Sequence, residues 1–71
     1  MNFDYILNVE TDVKITLLDA QGKAVKTFSL GLKAKGYNQE EIDVSSLNSG
    51  LYLCRIGTNS SSVTQKILIT H

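Results

Sequence analysis

Few side chains in this 71-residue chain could do chemistry. Cys54 is the only cysteine and His71 the only histidine. A nucleophilic thiol needs a base within hydrogen-bond reach, and the one imidazole here is the last residue, where chains fray. Cys54 itself lies between Leu53 and Arg55 in an apolar run, the setting of a buried and inert thiol. Glu40-Glu41 is the only adjacent carboxylate pair. On a strand, neighbouring side chains point to opposite faces, so the two cannot share a substrate as general acid and base. Asp19-Ala20-Gln21-Gly22 carries too few oxygen ligands for a calcium loop, and turn chemistry explains it. One cysteine, one histidine and scattered carboxylates lack the ligand spacing that zinc requires. Gly31 and Gly36 are not followed by a strand-to-helix transition, so they form no phosphate cradle. These residues predict no catalytic site, no metal site and no cofactor.

Charge and hydropathy narrow the partners. Seven basic and seven acidic side chains cancel, and the cations are scattered, with Lys33-Ala34-Lys35 the nearest thing to a cluster. Nucleic acid would favour a basic patch, so none is expected as a partner. No apolar run is long enough for a membrane-spanning helix, and no secretory leader is visible, which predicts no membrane insertion and either a piece of a longer precursor or a cytosolic chain. A lone cysteine leaves no intrachain disulfide to staple a small secreted fold. A chain of this size buries only about 60% of the surface that its unfolded form exposes, so packing alone must suffice.

The elements that would position any surface are strands. Proline is absent, and short period-two runs separated by turn residues recur along the chain, the all-β pattern. Phe3, Tyr5, Leu7 and Val9 alternate with mostly polar neighbours in a first strand. A second, Val13–Leu18, turns Val13, Ile15 and Leu17 to one side. Asp19 and Gly22 suit the first and fourth positions of a type I hairpin turn. A third strand, Ala24–Leu30, is expected to pack through Val25, Thr27 and Phe28, followed by a loop over residues 31–36. A fourth spans Tyr37–Val44 with Ile42 and Val44 inward and Gln39, Glu41 and Asp43 outward, and Leu47 pins the next turn to the core. The fifth is Leu51–Gly57, with Tyr52, Cys54 and Ile56 inward. Residues 58–62 form a connector without an anchor, and the sixth strand is Val63–Thr70. The expected fold is a small antiparallel immunoglobulin-like β-sandwich of six to seven strands forming a single domain over residues 1–71. In this phase Leu18, Leu51 and Leu53 point away from the core. Single exposed leucines need no explanation, but three that cluster imply either a loop or edge that covers them or a docking surface.

Three stretches of this pattern, Val13 to Val25 with its Asp19-Ala20-Gln21-Gly22-Lys23-Ala24-Val25 turn, Gly50-Leu51-Tyr52-Leu53-Cys54-Arg55-Ile56, and Lys66-Ile67-Leu68-Ile69, together resemble the C-terminal sorting domain of type IX secretion cargo proteins from Bacteroidetes. Gly36-Tyr37 and Ile42-Asp43-Val44-Ser45-Ser46-Leu47 fit the same ordered set. The family's opening Asn-Pro segment has no counterpart here, and Ile42 stands where such domains often carry tryptophan. The resemblance implies a non-catalytic secretion signal. It implies transit through the periplasm, recognition by an outer-membrane translocon and removal by a gingipain-like, sortase-like surface protease. The cargo would then be joined to lipopolysaccharide at the cell surface, or secreted. On this reading Gly50, Tyr52, Lys66, Ile67 and Ile69 are the recognition candidates, and Asp19 and Gly22 the turn residues. The open edge of the terminal strand, blunted only by Lys66, suggests a homodimer through edge strands. An immunoglobulin- or fibronectin-like accessory or carbohydrate-binding module of a surface protein is the alternative.

Overall fold

The computed structural model describes residues 1–71 and contains six strands and no helix: β1 (Asn2–Leu7), β2 (Thr11–Leu18), β3 (Ala24–Lys33), β4 (Gly36–Glu41), β5 (Gly50–Gly57) and β6 (Ser62–Ile69). They form two sheets, a β1–β4 pair and a four-stranded sheet of order β3-β2-β5-β6. Every pairing is antiparallel. The sheets face each other as a small β-sandwich, the class that the alternation predicts.

The core lies where the phase of β2 and β5 places it. Ile15 and Leu17 of β2 and Cys54 of β5 are shut off from solvent, joined by Phe3 of β1 and by Ile42 just beyond β4. Phe28, Leu30, Val44, Leu47, Ile56 and Ile67 pack around them. Tyr5, Tyr52, Ile56 and Ile67, on the inward phase, are half-buried rather than buried. The reason is width. Strands sit about 4.8 Å apart, so a two-stranded sheet cannot roof a four-stranded one. At β6, on the edge, Val63 and Gln65 share the inner face with Cys54 and Ile56 but remain exposed.

Several strand boundaries and one connector differ from the sequence expectation. β1 stops at Leu7, and Val9 is 62% exposed. β3 runs through the expected loop to Lys33, because Gly31 adopts φ 76° at a bulge that skips Leu30 in the pairing with β2. A second bulge skips Val25. The two irregularities set β3 so that Lys26, Phe28 and Leu30 are sheltered while Val25 and Thr27 are exposed. β4 ends at Glu41, Ile42 still exchanges backbone hydrogen bonds with Met1 at 2.8 and 3.0 Å, and residues 43–44 leave the ladder with Ile42 and Val44 turned inward. The 58–61 connector does have an anchor. The Thr58 hydroxyl accepts from the Ser60 and Ser61 amides at 3.3 and 3.2 Å, and the Thr58 amide donates to the Ser61 carbonyl at 2.8 Å.

Candidate recognition surface

The groups that could do chemistry are buried or held by partners. Burial pushes the Cys54 thiol up to about 11, and Cys54 is 1% exposed. His71 is not frayed: its amide donates to Ser49 Oγ at 3.2 Å and its Nε2 lies 2.7 Å from the Leu47 carbonyl. Glu40 faces inward, where it accepts the Tyr5 hydroxyl proton at 2.9 Å and pairs with Lys33 at 3.1 Å. Burial, then the hydrogen bond and the charge of Glu40, holds the Tyr5 phenol well above its ordinary range. Glu41 faces out on the other side of the strand.

The hairpin turn between β2 and β3 is built by Asp19. Its carbonyl accepts from the Gly22 amide at 2.9 Å, and its Oδ1 accepts from the Gln21 and Lys23 amides at 3.0 and 2.9 Å. Gly22 sits at φ 85°, the left-handed position that follows a type I turn in a three-residue hairpin loop. In the β4–β5 connection, the Ser45 hydrogen bonds to the Asp43 carboxylate lower its pKa.

The β5–β6 ladder brings the five recognition candidates together and then divides them. Gly50 pairs with Ile69 and Tyr52 with Ile67. Ile69 is buried, Ile67 packs on the core, and the Tyr52 hydroxyl donates to the Asn48 carbonyl at 2.7 Å. Lys66 alone presents an exposed side chain, on the outer face beside Leu53. The three outward leucines also meet there. Leu18 pairs with Leu53, and Leu51 pairs with Leu68. Leu18 is nevertheless only 6% exposed, because it stands on a central strand between Ala24 and Leu53. Sequence reading passed over Lys14 and Leu68 as parts of this surface and gave Arg55 no surface role. The alternation of β2, β5 and β6 carries that signal, but only with the pairing order in hand.

The outer face of the four-stranded sheet is charged and leucine-bearing, over an apolar interior. A sequence model of the secretion system C-terminal sorting domain matches residues 2–70. The chain belongs to that family. Its role is that of a C-terminal secretion signal recognised by the type IX secretion machinery, whose cargo is exported to the cell surface or secreted. No curated protein and no solved structure matches the chain.

Proposed function

We propose that residues 1–71 act as one non-catalytic sorting unit, read by the outer-membrane translocon after crossing the periplasm and then removed by a sortase-like surface protease. The observation that carries this reading is the family match over residues 2–70. Within the unit, Gly50 and Tyr52 shape the start of β5, Ile67 and Ile69 seat β6 on the core, and Lys66 offers the charge. β6 is an edge strand whose only charged residue is Lys66, which supports weak homodimerisation by edge pairing.

The test places the chain behind a periplasmic reporter in a host that has the type IX system. The reporter is expected at the cell surface with the intact chain and in the periplasm when residues 66–71 are deleted. A reporter that stays periplasmic with the intact chain, while a sorting domain from another cargo exports it, overturns the reading.

A further inference from the structure

The chain is neutral overall, but its charges are separated by face. On the outer face of the four-stranded sheet, the ladders stack in rows across the strands. Ser29, Lys14, Gly57 and Ser62 form one row, and Thr27, Thr16, Arg55 and Thr64 the next. Ala24, Leu18, Leu53 and Lys66 follow, with Leu51 and Leu68 beyond them. Lys14, Arg55 and Lys66 therefore step diagonally across the sheet, and the four leucines fill the corner behind them.

All three cations are exposed, and none forms an ion pair, since the one salt bridge in the molecule joins Lys33 to Glu40. Two carboxylates lie nearby. Asp12 shares the outer face, in the row next to Lys14 and paired with Leu32, without an ion pair to it, and Asp19 is committed to its turn. Leu51 is 53% and Leu68 66% exposed. The outer face of the β1–β4 pair is the opposite: Asn2, Asp4, Ile6, Tyr37, Gln39 and Glu41, with two carboxylates and no cation.

We infer that the diagonal Lys14–Arg55–Lys66 and its leucine corner form the docking surface for an acidic protein partner, whose carboxylates flank an apolar patch. This deepens the sorting reading and rests on it. Charge complementarity selects the occupant. Three unpaired cations along one side of exposed leucines favour a partner with carboxylates beside an apolar patch, because the charges steer encounter while apolar anchors hold the complex.

The test uses the same reporter fusion. Lys14→Gln, Arg55→Gln and Lys66→Gln combined should lower surface export about tenfold, the worth of three exposed charge pairs together. Leu51→Ser with Leu68→Ser should lower it similarly. Asp4→Asn with Glu41→Gln, on the opposite face, should leave it unchanged. Lys66→Arg should export normally and Lys66→Glu less well than Lys66→Gln. All altered side chains are exposed, and unfolding midpoints of the purified variants verify that the fold persists.

If the intact chain fails to export, the sorting reading itself fails. If it exports and the triple variant exports equally well, only the docking surface is overturned. Equal loss from the Asp4/Glu41 variant overturns it too. Concentration-dependent self-association that both the triple variant and the Asp4/Glu41 variant abolish would assign the face to a second copy, and would overturn the acidic-partner inference.

Discussion

The four-stranded sheet and the two-stranded sheet share a core but line it differently. The larger sheet lines it with Ile15, Leu17, Phe28, Cys54 and Ile56. The smaller contributes Phe3 from β1, while β4 turns Asn38 and Glu40 inward. Polar groups at that position need partners, and Tyr5 and Lys33 supply them to Glu40. A two-stranded ribbon is marginal by itself. The β1–β4 pair has no further strand beside it, and the Tyr5–Glu40 hydrogen bond ties its two strands together on the inner face. The larger sheet is expected to hold most of the stability, with the smaller packed over it.

Leu17→Ala, at the fully enclosed centre of the large sheet, should cost about 2–5 kcal/mol, most of the margin of a domain this small. Chemical denaturation of the purified chain measures it, and a loss under about 1 kcal/mol would move the centre of stability elsewhere. Tyr52→Ala, half-buried and nearer the edge, should cost clearly less than Leu17→Ala in the same assay.

Alkali sharpens the contrast. The folded Cys54 thiol titrates near 11 against an ordinary value of 9.0. The unfolded chain therefore loses this proton first as pH rises, and the folded state binds more protons between the two values. The contribution is fully present below pH 9 and declines toward pH 11. Cys54→Ala should flatten that part of the stability–pH curve. In the native wild type at neutral pH, a thiol reagent should leave Cys54 unmodified until denaturant is added.

Tyr5→Phe tests the small sheet alone. It removes one hydrogen bond from Glu40 and should cost about 1 kcal/mol. Hydrogen exchange should quicken in β1 and β4 more than in β2 and β5. Uniform acceleration would mean that the two sheets open as one unit. A comparable effect is expected at the hairpin turn, where Gly22→Ala forces a side chain into the left-handed region for about 1 kcal/mol. Nothing lies within 4 Å of the added Cβ, so the cost there is backbone strain without a clash.

The sequence by itself determined the all-β class, the inward phase of β2 and β5, and the Asp19–Gly22 turn, because period-two alternation and turn chemistry are local. Val13, Ile15, Leu17 and Cys54 were legible for that reason. Tertiary structure decided what depends on neighbours. The bulges at Val25 and Leu30 reset β3, since a skipped residue shows only once a partner strand exists. Val9 and Val63 are as apolar as Val13, yet they are exposed because β1 ends early and the small sheet does not reach the first half of β6. His71 is held by residues 47 and 49, which no local pattern announces. The separation of charge was hidden in the same way. Lys14, Arg55 and Lys66 lie far apart in a neutral chain, and only the β2-β5-β6 order places them on one face, because strand pairing, not sequence distance, decides which side chains share a surface.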